Sequence, residues 1–131
     1  NPGAVVIGGD QLAHLDGAIL GKPGTSAAAE AQLARLAGRT HELVTALCVV
    51  HPGGFERHTD VARLRMRPLD ATAIARYVAA DRPLDCAGAY KLERLGIALF
   101  EEIACADHTA ITGLPLLWTS GVLARLGFAV P

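Results

Sequence analysis

Three short stretches carry the residues best suited to handling a charged ligand. Asp10 follows the run VVIGG, Lys22 sits in LGKPG, and Lys91 sits in AYKLE. An acid at the mouth of a buried strand, reached through glycines that let another molecule approach the backbone, is where α/β proteins tend to keep chemistry. The lysines stand out by contrast. The chain has 12 basic residues, and Lys22 and Lys91 are the only two that are not arginine. Both fall in glycine-bearing loops, where a compact, rotatable ammonium can meet phosphate oxygens. The plainer alternatives are a capping or turn aspartate and two ordinary surface lysines.

The elements that must position these residues follow from the pattern. The VVIGGDQL run reads as a buried strand ending near Asp10, and Asp16-Gly17 signals a hairpin into a second short strand, which places Lys22 just beyond it. Thr25 or Ser26 can cap an alanine-rich helix stopped by Gly38. HELVTALCVV is apolar on both faces and reads as a central strand. The segment TDVARLRMRPL alternates Ala62, Leu64 and Met66 against Arg63, Arg65 and Arg67, which suits an edge strand with solvated charges. Asp70 caps a helix through Ile74, Tyr77 and Val78, and Arg82-Pro83 opens a long loop containing Lys91. IALFEEI and TAITG read as two further strands, and Pro115 begins a last helix ended by Gly127, with Trp118 in its core-facing stripe.

Composition narrows the classes of function. With 131 residues, 51% of them hydrophobic and a formal net charge of -1, the chain suits one globular domain and offers neither a basic face for nucleic acid nor a charged surface for membranes. Its apolar runs are too short to span a bilayer. Three cysteines, Cys48, Cys86 and Cys105, lie far apart without a CxxC motif, so neither a disulfide framework nor a zinc site is signalled, and a reducing cytoplasm is expected. The five histidines show no paired ligand spacing, so a histidine metal site is not expected.

VVIGGDQL, LGKPG, DCAGAYKLE, LGI and DHTAITGLPL, in this order, resemble the Maf family of nucleoside triphosphate pyrophosphatases, named for septum inhibition. The resemblance covers nearly the whole chain. It implies an α/β fold, with a mixed, twisted sheet flanked by helices and two lobes around a cleft. It implies hydrolysis between the α and β phosphates of a nucleoside triphosphate, giving a monophosphate and pyrophosphate with a divalent cation, Mg²⁺ or Mn²⁺. Asp10 matches the family's proton acceptor and would also hold the metal. Lys22 would bind the triphosphate, with Lys91 assisting.

Gln11 and Glu93 match the family branch acting on 7-methyl-GTP, whereas the dTTP and UTP branch typically carries a threonine and a glutamine there. The direction of that change has a physical basis. Guanine presents two adjacent donors, which an acceptor-only carboxylate can take together, and methylation at N7 adds a positive charge. Thymine and uracil would turn carbonyl oxygens toward it. Arg94 departs from the glycine usual after this glutamate, and an arginine beside Glu93 is placed to neutralise it. The alternatives are a dTTP/UTP enzyme of the same family or a non-catalytic regulator of cell division, and a homodimer is left open. The family's first strand and its serine-, proline- and arginine-bearing phosphate loop find no match, and the chain opens at Asn1-Pro2-Gly3 without a methionine. The expectation is therefore one Maf-like domain over residues 1–131, incomplete at its N-terminus relative to the family.

Overall fold

The computed structural model describes residues 3–131, so the Asn1-Pro2 opening lies outside the described residues. Five strands form one sheet in the order β2-β1-β3-β4-β5. They are β1 (Val6–Leu15), β2 (Ala18–Leu20), β3 (Thr40–His51), β4 (Gly54–Met66) and β5 (Phe100–Ala104). The helices are α1 (Ser26–Leu36), α2 (Ala71–Asp81), α3 (His108–Ile111) and α4 (Leu116–Arg125). This is the α/β fold expected, a sheet flanked by helices. Every strand pairing among the described residues is antiparallel. Short turns join β1 to β2 and β3 to β4, and such turns leave no room for the crossover that a parallel neighbour requires.

Register decides what faces inward. Leu43 lies opposite both Ala13 and Ala62, and His41 opposite Leu64, so these side chains share one face of the sheet. Over that face α1 supplies Leu33 and Leu36 and α2 supplies Ile74, Tyr77 and Val78, and together they form the main core with Met66 and Phe100. Each fully buried leucine in such a cluster contributes about 2 kcal/mol through apolar burial. Further along the same face α3 rests on β3 and β4. Leu47, Val49 and Val122 are buried there outside the main core, and the two covered regions leave a cleft between them.

Several sequence expectations change in physical detail. The glycines do not end β1: it runs ten residues, and Asp10 lies in its middle, opposite Ala46. Gly9 is needed there because a Cβ would strike Leu47 Cδ2 and come within 3.0 Å of the Ala46 carbonyl oxygen. Asp10 is nonetheless exposed, and among the described residues β2 pairs with β1 only beyond it, at Ala13, His14 and Leu15. Nor is β4 an edge strand at Arg63 and Arg65. It pairs with β5 from Arg63 to Met66, and Arg65 is balanced by Glu101 at 3.4 Å and Glu102 at 3.2 Å.

The TAITG segment is helical, not extended. Asp107 caps α3 by accepting the Thr109 N–H at 2.9 Å and the Thr109 hydroxyl, and its second oxygen takes the Leu117 N–H at 2.9 Å. Burial alone would raise the Asp107 carboxyl, but these hydrogen bonds outweigh it and hold the group below its ordinary value. Such local bonds give the backbone an alternative to a sheet ladder. IALFEEI is divided between a 3₁₀ turn over Leu95–Leu99 and β5. Trp118 is half-buried and not core: its ring stacks on His58 at 5.0 Å, and His58 in turn meets Asp60 at 2.8 Å.

Candidate active site

The cleft has a volume of about 460 Å³, and Asp10, Gln11, Lys22, Asp85, Cys86 and Glu93 are among the residues that line it. Four of the five residues singled out in the sequence therefore share one wall system, although they come from β1, the loop after β2 and the loop after α2. Pockets of this size suit a small organic ligand.

Each contributor is held by its own local structure. The Asp10 carboxylate is folded back along β1, where its Oδ1 accepts the Gln11 N–H at 2.8 Å. The Lys22 loop is fixed on both sides: Gln32 Nε2 donates to the Gly21 carbonyl at 2.8 Å, and the Gly24 N–H donates to the Leu84 carbonyl at 2.8 Å. Thr25 then caps α1 by accepting the Ala28 N–H at 3.1 Å. This leaves Lys22 as an exposed ammonium on a short, anchored loop.

Gln11 is tied to the protein more firmly than the sequence suggested. Its Nε2 donates to Thr45 Oγ1 at 2.8 Å and to the carbonyls of Ala110 and Ile111 at 2.9 and 3.1 Å. Carbonyls only accept, so the amide nitrogen must face them. Thr45, buried beside it, donates its own hydroxyl to Ala110 O at 3.0 Å. The pair locks α3 onto β1 and β3 and so fixes one side of the cleft.

Lys91 is not among the cleft-lining residues. Its Nζ lies 3.8 Å from Asp85 Oδ1 while its backbone N–H donates to Tyr77 Oη at 2.8 Å. Asp85 is the residue that sequence reasoning missed. It lines the cleft, and its carboxyl is held below the ordinary value by hydrogen bonds from its own amide and the Cys86 thiol, then by the charges of Lys91 and Lys22. The available signal was its place in the loop that carries both AGAY and Lys91. Cys86 is not activated: burial, then the Asp85 charge, pushes its thiol up.

Glu93 is exposed at the apex of a tight loop. The Lys91 carbonyl accepts the N–H groups of both Arg94, at 3.1 Å, and Gly96, at 3.0 Å. Gly96 is required by this closure, since a Cβ there would lie 2.7 Å from the Lys91 carbonyl carbon.

No three His, Cys, Asp or Glu side chains among the described residues gather closely enough to hold a metal ion by themselves. A lone carboxylate such as Asp10 fits a different case, a hard cation that keeps several waters and is shared with a ligand's phosphate oxygens. Together the groups provide a carboxylate, an exposed cation and a second carboxylate around one cleft, which can orient a phosphorylated ligand and accept a proton near it.

The comparison with known proteins decides the family. The Maf-like protein description matches residues 1–126. The chain belongs to the Maf-like family. Maf-like relatives named 7-methyl-GTP pyrophosphatase include one from Xanthomonas campestris pv. campestris (strain 8004), 47% identical over 131 residues that cover 99% of this chain and 68% of the relative. Another, from Bdellovibrio bacteriovorus, is 46% identical over 119 residues, 91% of this chain and 63% of the relative. A third, from Aromatoleum aromaticum, is 45% identical over 133 residues, 100% of this chain and 69% of the relative. The Maf-like sheet and cleft described above thus carry sequence shared closely with proteins of that name. No helix among the described residues is long and apolar enough to cross a membrane.

Proposed function

We infer that this chain is a nucleoside triphosphate pyrophosphatase that hydrolyses 7-methyl-GTP between the α and β phosphates. The observation that carries the reading is the meeting of Asp10, Lys22 and Glu93 in one cleft from three separate parts of the chain. The relatives named for this substrate support it.

The residues divide the work by chemistry. The Asp10 carboxylate takes the proton of a water whose oxygen bonds to the α phosphorus. As that bond forms, the bond from the α phosphorus to the bridging oxygen breaks, and pyrophosphate leaves with the electron pair. Lys22 stabilises the charge that grows on the leaving group, and its anchored loop spends little reorganisation on doing so. Lys91, paired with Asp85 behind the cleft lining, would add a second cation by exchanging Asp85 for a phosphate oxygen. Asp10 would also hold a divalent cation brought with the phosphates, which would offset their charge. Glu93 accepts the two guanine donors, while Gln11 fixes the wall beside it. This arrangement favours a cationic purine over a pyrimidine.

Hydrolysis in ¹⁸O-labelled water tests the bond assignment. Label recovered in 7-methyl-GMP supports attack at the α phosphorus, and label confined to pyrophosphate overturns it.

A further inference from the structure

We propose that Asp81 is a positioning residue for base recognition: it draws Arg94 away from Glu93 and so keeps the Glu93 carboxylate open to the ligand. The proposal rests on the reading of Glu93 as the group that meets the base.

Glu93 has a cation on either side in sequence, Lys91 and Arg94. Each is engaged elsewhere. Lys91 Nζ lies 3.8 Å from Asp85 Oδ1, and Arg94 Nε lies 3.6 Å from Asp81 Oδ1. Among the described residues Glu93 itself makes no ion pair. An arginine adjoining a surface glutamate would otherwise form a carboxylate clamp, which uses the same oxygen atoms that a guanine base needs.

Burial explains why Asp81 prevails. Its side chain is 1% exposed, whereas Arg94 is 61% exposed. A carboxylate taken out of water depends on its cation more strongly than a hydrated one does, because the charges interact through a less screening medium. Asp81 also shapes the loop directly, since its Oδ2 accepts the Leu95 N–H at 3.0 Å. One turn earlier on the same face of α2, Tyr77 Oη accepts the Lys91 N–H. The backbone is thereby pinned on both sides of Glu93, at Lys91 and at Leu95. Orientation and charge are both governed from α2, behind the cleft.

The test measures equilibrium binding of 7-methyl-GMP and of UMP by calorimetry, which needs no turnover. In Asp81→Asn the amide oxygen still accepts the Leu95 N–H, but the charge that holds Arg94 is gone. Affinity for 7-methyl-GMP should fall by about tenfold, the size of one charge-assisted contact. Arg94→Gly alone should leave it within about twofold, and Asp81→Asn with Arg94→Gly should restore it to a similar level. A loss in Asp81→Asn that the added Arg94→Gly fails to reverse marks a merely structural aspartate and overturns the proposal, as does an unchanged affinity in Asp81→Asn. Glu93→Gln in the same series separates the two levels of inference. If it leaves the preference for 7-methyl-GMP over UMP intact, or if the unaltered chain shows no such preference, the base-reading role fails and the proposal fails with it. If Glu93→Gln lowers the preference while Asp81→Asn changes nothing, only the positioning role is lost.

Discussion

Gln11 and Thr45 lie opposite each other on β1 and β3, and the Gln11 amide nitrogen donates to the Thr45 hydroxyl at 2.8 Å while both side chains hold the Ala110 carbonyl. A strand residue expected to touch the ligand thus also acts as the fastener of α3. Gln11→Leu should remove the donor to Ile111 while Thr45 continues to serve Ala110. The chain should lose about 1–2 kcal/mol of stability, the cost of an unpaired polar group in a partly buried setting. Urea unfolding of the two proteins measures this, and equal midpoints would show that the tie contributes nothing.

Asp10 offers a cleaner separation of chemistry from folding. It is exposed, and an asparagine oxygen can still accept the Gln11 N–H. Asp10→Asn should lower kcat by at least about 100-fold, the range expected for losing a positioned base, with metal-free binding of 7-methyl-GTP and thermal stability preserved. Turnover close to that of the unaltered chain would remove Asp10 from the reaction.

The loop bearing Glu93 leaves no space at Gly96, whose missing Cβ would meet backbone atoms of Lys91. Backbone cannot swing aside as a side chain can. Gly96→Ala should therefore cost about 1–3 kcal/mol through overpacking and weaken 7-methyl-GTP binding more than pyrophosphate binding. Calorimetric titration of both ligands checks the asymmetry; equal losses would mean that the loop does not act on the base end.

His41 predicts an acid sensitivity. It is buried against Tyr90, with its Nε2 2.8 Å from the Tyr90 hydroxyl, and burial, followed by the charge of His14, lowers its pKa from 6.5 to about 4. Between those values the unfolded chain binds the proton and the folded chain does not. Stability is thus complete above pH 6.5 and declines as the pH falls toward 4, by about 3 kcal/mol in all. His41→Gln should flatten that part of the stability profile by about one proton. Denaturant melts at a series of pH values provide the comparison, and parallel profiles would contradict the assignment.

Much of this was legible in the sequence because local chemistry decided it. Asp16-Gly17 forms the expected hairpin with both residues at positive φ, and Thr25 and Asp70 cap α1 and α2 through side-chain oxygens. The alternation of Ala62, Leu64 and Met66 against the arginines matches a strand with one buried face. What escaped depended on side-chain contacts that no residue pattern announces. Nothing around Arg65 announces Glu101 and Glu102, so β4 read as an edge. Asp107 overruled the strand-like TAITG through bonds to Thr109 and Leu117, and the arrest of Arg94 by Asp81 required α2 to be packed behind the loop. The site residues could be named individually, but whether Gln11 was free or fastened could be known only once α3 had been placed.

Pyrophosphate release by this chain with Mg²⁺ over 7-methyl-GTP, GTP, dTTP and UTP, repeated with Glu93→Gln, tests the central claim most directly. Highest kcat/KM on 7-methyl-GTP, with that preference reduced by about tenfold or more in the variant, is the predicted result. Faster release from dTTP or UTP, or a preference that Glu93→Gln leaves untouched, would contradict it.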